Sequence, residues 1–215
     1  ALAHVGFQQS YTYFTWRNEK WELEEYLREL AGPLSASMRP NFFVNTPDIL
    51  PYHLQGGESW MFKSRVALAA MLSGTYGIYN GFELLEHEPI PGREEYLDSE
   101  KYEIKVRDWD KPGNIKPYIM VLNRARRANP ALQQTSNLRF LGIEDSNVIG
   151  FVKESVDGRN TVAVAIALSR DFHEFWLPLG DVQVLAGGTR RHVAAVENLL
   201  TGERHPIEWG GIRLR

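Results

Sequence analysis

The sequence predicts an α/β region of parallel strands and helices, followed by an all-β region of antiparallel strands. Strand-like and helix-like segments alternate as far as Asn129-Pro130, and this alternation is typical of parallel βαβ units. After about residue 136, helical periodicity is absent, and turn signals such as Asp157-Gly158 separate short apolar runs. We therefore expect two domains, 1–133 and 134–215.

The α/β region contains three predicted strands and three predicted helices. The strands are the aromatic-rich segment 10–16, the apolar run 41–45 and the short segment 77–79. The helices cover 19–31, 62–73 and 115–128, where apolar residues recur at helical spacing. Three parallel strands leave sheet edges and faces uncovered. We therefore expect self-association or a further segment that covers them, and low stability without either.

The all-β region contains short strand-like runs separated by turn residues. The predicted strands are 148–152, 161–168, 173–177, 182–185, 193–199 and 205–214. Gly187-Gly188 and Thr201-Gly202 mark two of the turns between them. Strands of this length and spacing are typical of a small antiparallel β-sandwich.

The composition is that of a globular protein and excludes several classes of function. The net charge is −3 and is not concentrated in blocks, which argues against nucleic-acid and membrane-surface partners. The absence of cysteine excludes disulfides and thiolate chemistry and favours a reducing, cytoplasmic compartment. The six histidines lack metal-ligand spacing, so we expect no metal and no cofactor.

Asp48 is the first candidate for catalysis. It follows the predicted strand 41–45, and the carboxyl ends of the strands form the catalytic face of a β/α barrel. A carboxylate there is well placed to act on a bound ligand. An Asp after a proline can equally cap a helix or stabilise a loop, and position alone leaves both interpretations open.

The second candidate region is the long connection 85–114, which has no periodicity but contains several aromatic residues. Connections of this length are usually functional or disordered, and the aromatic residues favour an ordered one. Lys101 and Tyr102 suit sugar hydroxyls, with solvated loop residues as the alternative. Glu83 and Tyr79 follow the third predicted strand and are candidates to support a site, with a structural salt bridge as the alternative for Glu83.

Four segments in order along the chain carry a specific resemblance. They are SYTYFTWR at 10–17, RPNFFVNTPDIL at 39–50, GIYNGFEL at 77–84, and EYLDSEKY at 95–102 followed by Arg107-Asp108-Trp109. Together they closely resemble the α-1,4-glucan:maltose-1-phosphate maltosyltransferases, a family of the α-amylase superfamily (glycoside hydrolase family 13). The resemblance covers residues 1–135, and a weaker similarity to the C-terminal sandwich of the superfamily lies at 199–203. In most α-amylase relatives a His precedes the Asp of the strand-seven motif, whereas here Pro47 stands in its place, as in the maltosyltransferases.

The resemblance implies a fold and a set of roles. The three strands would be the sixth, seventh and eighth of a (β/α)8 TIM barrel, the C-terminal part of which precedes the β-sandwich. Asp48 would be the third carboxylate, which stabilises the oxocarbenium-like transition state, and Lys101 and Tyr102 would bind the maltosyl phosphate. The nucleophilic Asp and the acid/base Glu belong to the fourth and fifth strands, which would precede Ala1.

The implied activity is a retaining transfer of maltosyl units from α-maltose 1-phosphate to the non-reducing end of α-1,4-glucan of the glycogen type. The chain begins within a strand-like segment and without Met, so we expect a fragment that is inactive alone, needs its N-terminal portion and is homodimeric when intact. Another α-amylase-superfamily hydrolase or branching enzyme is one alternative, disfavoured by Pro47 and by Lys101 with Tyr102. A non-catalytic glucan-binding module is the other, disfavoured by Asp48.

Overall fold

A computed structural model describes residues 5–7, 9–100 and 104–215. The described helices are α1 Lys20–Ala31, α2 Ser59–Leu72 and α3 Lys116–Ala128. The described strands are β1 Gln9–Tyr11, β2 Arg39–Phe43, β3 Thr75–Gly77, β4 Leu138–Phe140, β5 Val148–Glu154, β6 Thr161–Ala167, β7 Phe175–Pro178, β8 Gln183–Ala186, β9 Thr189–His192, β10 Ala195–Glu197, β11 Arg204–Pro206 and β12 Gly211–Leu214. Within this part of the chain, no helix combines the length and apolarity needed to cross a membrane.

The first three strands form a parallel sheet with β2 in the centre. Gln9 of β1 lies opposite Arg39 of β2, and Asn41 of β2 lies opposite Thr75 of β3. α1 connects β1 to β2 and α2 connects β2 to β3, so these elements are consecutive βα units. α3 follows the long connection after β3, and the order of elements agrees with the prediction.

The first strand is shorter than the predicted segment 10–16. Only Gln9–Tyr11 is a strand, and Tyr13–Trp16 forms a turn of 3₁₀ helix. The prediction rested on β-propensity, which tertiary contacts override here. The buried guanidinium of Arg65 donates hydrogen bonds to the carbonyl oxygens of Phe14 at 2.7 Å and Arg17 at 2.6 Å. These bonds hold the backbone in the turn.

The first two helices are buried to different extents. α1 buries one face and exposes the other, as its periodicity predicts. Its N-cap is Glu19, and the Glu22 carboxylate accepts a hydrogen bond from the Glu19 backbone N–H at 3.2 Å. α2 is buried without a break over 64–72, so it forms the centre of the α/β region.

The chain from Leu138 onward forms four small antiparallel sheets, with strand orders β4-β5-β6, β7-β12, β8-β9 and β10-β11. The sequence did not predict β4 or β9. All four residues of β9 are exposed, so β9 lacks the apolar alternation by which a strand is recognised. The predicted segment 205–214 is divided between β11 and β12, because the chain turns at Glu208–Gly211.

β5 is buried on both faces and takes part in two hydrophobic cores. Ile149 and Phe151 belong to the core that surrounds α2, whereas Val148 and Val152 belong to a second core between the antiparallel sheets. Successive side chains of a strand point to opposite faces, so one strand contributes to both. Residues on both sides of position 134 therefore share the core around α2.

The carboxyl end of α2 is buried and is capped by two cations from other elements. Arg126 of α3 donates hydrogen bonds to the carbonyl oxygens of Ala70 and of Ser73, the latter at 2.8 Å. Lys153 of β5 is fully buried and donates to the carbonyl oxygens of Met71 at 3.2 Å and Leu72 at 3.3 Å. Cations at this end also interact favourably with the helix dipole.

Lys153 makes stability depend on pH. Burial, followed by the charge of Arg126, lowers the pKa of the Lys153 ammonium from 10.5 to about 7. Between these two values the unfolded chain binds more protons than the folded chain, so the free energy of unfolding rises with pH. This pH-dependent part of the unfolding free energy is fully present above 10.5, the pKa of Lys153 in the unfolded chain, and is lost as the pH falls through about 7, its pKa in the folded chain.

We predict that the difference in unfolding free energy between the native chain and Lys153→Met grows from pH 7 to pH 10, by up to about 1.4 kcal/mol per pH unit. Urea denaturation at a series of pH values measures this difference. Lys63→Met, which removes an exposed lysine of α2, is the control for loss of one positive charge. A native-minus-Lys153→Met difference that stays constant over this range contradicts the prediction.

Candidate functional site

The carboxyl ends of β2 and β3 lie side by side, because the two strands are parallel neighbours. Asp48 follows β2 in a tight turn that is closed by pairing between Thr46 and Ile49. Its backbone N–H donates to the Thr46 hydroxyl at 3.3 Å, and the residue is exposed. Asp48 thus lies just beyond the end of a parallel strand, where an exposed carboxylate can act on a ligand.

Asn45 joins the ends of β2 and β3 and is fully buried. Its Oδ1 accepts a hydrogen bond from the Tyr79 backbone N–H at 2.9 Å, and its Nδ2 donates to the Tyr79 carbonyl oxygen at 3.4 Å. The Asn45 side chain thus pairs with the backbone N–H and C=O of Tyr79, which would otherwise be free to continue the β2–β3 hydrogen-bond ladder. For this reason β3 is Thr75–Gly77 and not the predicted 77–79.

Tyr96 anchors the long connection to these strand ends. It is nearly fully buried, and its hydroxyl accepts a hydrogen bond from Asn45 Nδ2 at 2.7 Å. Its ring packs edge-on against Tyr79, with the ring centroids 5.5 Å apart. Burial raises the pKa of the Tyr96 hydroxyl, since an apolar environment disfavours the phenolate. This segment of the connection is therefore ordered.

Arg107 is a second anchor, and its side chain is only 2% exposed. Its guanidinium contacts Glu86 at 2.9 Å and Glu100 at 2.8 Å. Burial alone would lower the pKa of the guanidinium, but hydrogen bonds to Glu86, Glu100 and Tyr79 raise it above its ordinary value. The hydrogen bond from Arg107 is the main cause that lowers the pKa of the Glu100 carboxyl. Both groups are therefore charged at neutral pH.

Gly81 allows this ion pair to form. Its φ is +98°, in the left-handed region that favours glycine. A Cβ at this position would lie 2.3 Å from Oε2 of Glu86 and 3.0 Å from Nε of Arg107. The ion pair and the backbone therefore both require glycine.

The other predicted site residues have different outcomes. Glu83 lies in the turn Phe82–Leu84 after β3. Its carboxylate accepts a hydrogen bond from the Gly81 N–H at 3.1 Å. Glu83 therefore stabilises the turn in which it lies. Lys101 and Tyr102 lie outside the described residues.

Two exposed aromatic residues, Trp16 and Tyr52, meet at the Glu94 carboxylate, and Tyr52 follows Asp48 closely in the chain. The exposed fractions are 40% for Trp16 and 62% for Tyr52. The Glu94 carboxylate holds both residues, because it accepts hydrogen bonds from Trp16 Nε1 at 3.2 Å and from the Tyr52 backbone N–H at 3.0 Å. Exposed aromatic faces beside a carboxylate are chemically suited to a pyranose ring, which offers C–H faces and hydroxyls.

His53 lies in the same segment but is unsuited to proton transfer at neutral pH. Burial, followed by the charge of Arg65, lowers the pKa of its imidazole to about 3. Its ring is therefore neutral at pH 7. Among the residues that the structure describes, no group of His, Asp and Glu could hold a metal ion.

A cavity in the antiparallel region lies away from Asp48. It has a volume of about 500 Å³ and is lined by residues of the antiparallel sheets, including Arg139, Glu154 and Asp181. A second cavity of about 340 Å³ lies beside α3, with Asn80 and Glu83 in its wall. We assign the candidate site to the carboxyl ends of β2 and β3, where Asp48 lies, because of the chemical groups found there. A site at strand ends is open to solvent, so cavity volume does not identify it.

Ser169, His173 and Asp145 form a hydrogen-bonded relay in the antiparallel region. Ser169 Oγ is 2.9 Å from His173 Nε2, and His173 Nδ1 is 2.7 Å from Asp145 Oδ2. The order of groups matches the relay of a serine hydrolase. However, the Ser169 hydroxyl is also 3.2 Å from the Asp171 carboxylate, which would repel a developing oxyanion. We regard the relay as a structural link between the turn after β6 and the connection between β4 and β5.

Four residues of the site were given no role from the sequence: Asn45, Glu86, Glu94 and Arg107. Each acts through side-chain contacts to residues distant in the chain. Asn45 and Arg107 lie in segments that carry the family resemblance, but the resemblance assigned no role to either of them. The available signal was weak: Asn45 is a polar residue at the end of a predicted buried strand, and Arg107 is a charged residue in an aromatic-rich connection.

Comparison with known proteins gives clear sequence relatives. The α-1,4-glucan:maltose-1-phosphate maltosyltransferase of Rhodospirillum rubrum is 47% identical over 214 residues, which cover 98% of this chain and 30% of that protein. The one of Chlorobaculum tepidum is 49% identical over 219 residues, covering 98% of this chain and 32% of that protein. The chain thus spans about a third of the length of these curated relatives. No family model matches the chain.

Solved structures show a likeness in fold. A noncanonic maltogenic α-amylase, AmyB, from Thermotoga neapolitana superposes with a TM-score of 0.64 at 13% identity, over 98% of this chain and 49% of that chain. An Anoxybacillus α-amylase gives a TM-score of 0.60 at 14% identity, over 92% of this chain and 40% of that chain. The structural neighbours are therefore α-amylase family enzymes.

We predict that Gly81→Ala lowers the free energy of unfolding by more than Gly92→Ala, by about 1–3 kcal/mol. Both glycines have positive φ, +98° and +75°, so both substitutions strain the backbone. Only at Gly81 would the new methyl group displace Glu86, because no atom of the described residues lies within 4 Å of a Cβ at Gly92. Urea denaturation compares the two variants. Equal losses would show that the ion pair of Glu86 and Arg107 does not depend on this glycine.

Proposed function

The chain is a homologue of the α-1,4-glucan:maltose-1-phosphate maltosyltransferases over nearly all of its length, and we propose that it is part of an enzyme with that activity. The reaction would move a maltosyl unit from α-maltose 1-phosphate to the non-reducing end of an α-1,4-glucan. Configuration at the anomeric carbon would be retained. The observation that carries the proposal is Asp48 at the end of a parallel strand, in a chain whose sequence matches these relatives.

We assign the elements of the α/β region to a barrel. β1, β2 and β3 would be the sixth, seventh and eighth strands of a (β/α)8 TIM barrel. Residues 1–133 would be its C-terminal portion, and residues 134–215 a β-sandwich domain. The parallel order with β2 in the centre and the likeness to α-amylase structures support this assignment. Active sites of such barrels lie at the carboxyl ends of the strands.

We assign Asp48 the stabilisation of charge. A retaining transfer needs one carboxylate to attack the anomeric carbon and a second carboxyl group to protonate the leaving group, with about 5 Å between them. Residues outside this chain would supply both groups. Asp48 would face the positive charge that develops on the sugar ring, where a fixed carboxylate lowers the energy of the transition state.

The reaction would proceed in two displacements. In the first, the nucleophile forms a bond to the anomeric carbon and phosphate leaves. In the second, the 4-hydroxyl of the glucan attacks the same carbon, loses its proton to the acid/base and releases the nucleophile. We assign Lys101 and Tyr102 to binding of the maltosyl phosphate. Tyr79 would support them through its contacts to the long connection, and Glu83 through the turn that it stabilises.

We propose further properties from the family resemblance of the sequence. The whole enzyme would be a cytoplasmic homodimer that acts on glycogen-type glucan. The 215-residue chain would be inactive alone, because it would lack the nucleophile and the acid/base. Pro47 directly before Asp48 favours transfer to glucan over the hydrolase and branching-enzyme alternatives.

A chimera tests the proposal. The chain replaces the matching 214 residues of the Rhodospirillum rubrum relative, and phosphate release from maltose 1-phosphate is measured with and without glycogen. We expect acceptor-dependent release by the chimera and none by the chain alone. Phosphate release with accumulation of maltose and no acceptor dependence would support a hydrolase. Binding of glycogen without turnover would support a glucan-binding module.

We predict that Asp48→Asn lowers kcat of the chimera by about 10²–10⁴-fold with little change in KM, because the carboxylate acts in the transition state. Asp110→Asn is the control, since Asp110 is a fully exposed carboxylate of the long connection. Steady-state kinetics with maltose 1-phosphate and glycogen provides the measurement. If the two variants are equally active, Asp48 has no role in catalysis.

A further inference from the structure

The cavity of about 500 Å³ in the antiparallel region, which we call the sheet cavity, lies where the β4-β5-β6 sheet meets β8 and β9. On the sheet side its wall consists of cross-strand neighbours. Arg139 lies opposite Val152, and Glu154 lies opposite Thr161. Residues opposite each other, and residues two apart in one strand, share a face of the sheet. These four side chains therefore line one space, with a volume in the range of roughly 300–1,000 Å³ that is usual for ligand pockets.

Two ion pairs connect the sheet to the opposite wall of the sheet cavity. Arg139 Nη1 lies 2.8 Å from Asp181 Oδ2. Arg190 of β9 binds Glu154 of β5 through both nitrogens, with Nη1 2.8 Å from Oε2 and Nη2 2.5 Å from Oε1. The charged residues of the lining thus balance. An anionic ligand would have to displace a carboxylate from its guanidinium, so the cavity is suited to a neutral ligand.

The paired groups retain hydrogen-bonding capacity for a ligand. A guanidinium has five N–H donors and a carboxylate has about four acceptor positions, and the contacts within each ion pair use one or two of them. Arg139 and Asp181 are exposed, so their remaining positions are accessible. The Thr161 hydroxyl adds one group that both donates and accepts. A ligand with several hydroxyls matches such a mixture of donors and acceptors.

Asn137 contributes a buried acceptor to the lining of the sheet cavity. Its Nδ2 donates to the carbonyl oxygens of Ala131 at 2.8 Å and Glu154 at 2.7 Å, and these two bonds fix the orientation of the amide. Its Oδ1 is buried and accepts no hydrogen bond from the residues that the structure describes. Buried polar groups in native proteins are nearly always paired. A hydroxyl of a ligand in the cavity can supply the donor.

Val152 and Val182 provide an apolar part of the wall. Both are buried and belong to the core between the antiparallel sheets. A pyranose ring presents C–H groups as well as hydroxyls, so it can contact aliphatic side chains while its hydroxyls bind the polar groups around them. The composition of the lining therefore suits a saccharide.

We propose that the sheet cavity is a second saccharide site, separate from the strand ends at Asp48, and that it takes a short stretch of α-1,4-glucan. The choice of α-1,4-glucan rests on the proposed function, in which this polymer is the acceptor. The neutral, polyhydroxylated class of ligand rests on the cavity alone. A glucan held on the antiparallel region stays close to the enzyme between transfers, which raises the local concentration of acceptor ends.

The first test measures binding by the native 215-residue chain and does not require catalysis. Maltoheptaose is titrated into the isotope-labelled chain, and the amide chemical shifts are followed by NMR. We expect shifts at Arg139, Thr161 and Gln183, which line the cavity. Cellohexaose and inorganic phosphate are the comparison ligands, and we expect each to bind at least about tenfold more weakly.

Three outcomes of this titration would overturn the proposal. The first is no binding of maltoheptaose, or shifts confined to the turn around Asp48. The second is equal binding of cellohexaose, which would exclude selectivity for α-1,4-glucan. The third is tighter binding of phosphate, which would show an anion site instead of a saccharide site.

The second test compares two matched variants of the same chain. Arg139 and Arg213 are exposed arginines on strands of the antiparallel region, and they pair with Asp181 at 2.8 Å and Glu174 at 3.0 Å. Arg139 lines the sheet cavity and Arg213 does not. We expect Arg139→Ala to raise Kd for maltoheptaose about five- to tenfold and Arg213→Ala to leave it unchanged. Equal effects of the two substitutions would contradict the proposal.

Thr161→Val keeps the test decisive if Arg139→Ala does not fold, because it removes a hydroxyl and preserves the shape of the side chain. We expect it to raise Kd for maltoheptaose about fivefold. An unchanged Kd in folded Thr161→Val and an unchanged Kd in folded Arg139→Ala each argue against ligand binding in the cavity.

The chimera connects the sheet cavity to the proposed function. Arg139→Ala is expected to raise KM for glycogen about fivefold and to leave KM for maltose 1-phosphate and kcat unchanged. An unchanged KM for glycogen, in a variant that binds maltoheptaose more weakly, would overturn the role of the site in holding the acceptor. An inactive native chimera would refute the proposed function, and the titration of the 215-residue chain would still decide whether the cavity binds glucan.

Discussion

The buried carboxyl end of α2 is the constraint on which the arrangement of the whole chain depends. An apolar helix in the middle of a core leaves its last carbonyl oxygens without water, and each buried unpaired carbonyl costs about 1–3 kcal/mol. Arg126 reaches these oxygens from α3 and Lys153 reaches them from β5. The α/β region and the antiparallel region are therefore joined at one helix end by buried hydrogen bonds from Lys153, as well as by the core shared through Ile149 and Phe151.

At the candidate site, polar side chains again bond to backbone groups at the end of an element, here the ends of β2 and β3. Asn45 takes over the backbone groups of Tyr79, so the sheet ends where a side chain replaces the ladder. The Arg107 guanidinium then fixes the long connection through two carboxylates. Rigid strand ends and a connection tied to them by polar side chains position groups more closely than loop packing alone could. The exposed Asp48 lies next to this fixed network.

Periodicity and turn residues were enough to predict the order of strands and helices, because α1 and α3 are amphipathic and β5 and β6 are continuous apolar runs. The errors have two physical causes. The segment 10–16 has strand propensity throughout, yet Arg65 draws the carbonyl oxygens of Phe14 and Arg17 into a turn. β9 is polar and exposed along its length, and it pairs with β8. A partner distant in the sequence decides the local structure at 10–16, whereas β9 pairs with its neighbour β8 but lacks the apolar alternation by which a strand is recognised.

Asp48 could be predicted from the sequence, whereas the residues that support the site could not, because their contacts are to residues distant in the chain. A carboxylate after a buried strand is visible in the sequence, because strand and residue are neighbours in the chain. Asn45 acts on Tyr79 across 34 residues and on Tyr96 across 51, and no local pattern records such pairs. These polar contacts join residues that are far apart in the sequence. Because a hydrogen bond requires a short distance and a defined angle, such contacts fix side-chain positions that hydrophobic packing leaves free. A site built in this way depends on its supporting residues as well as on Asp48, because Asn45 fixes the strand ends and Arg107 fixes the long connection.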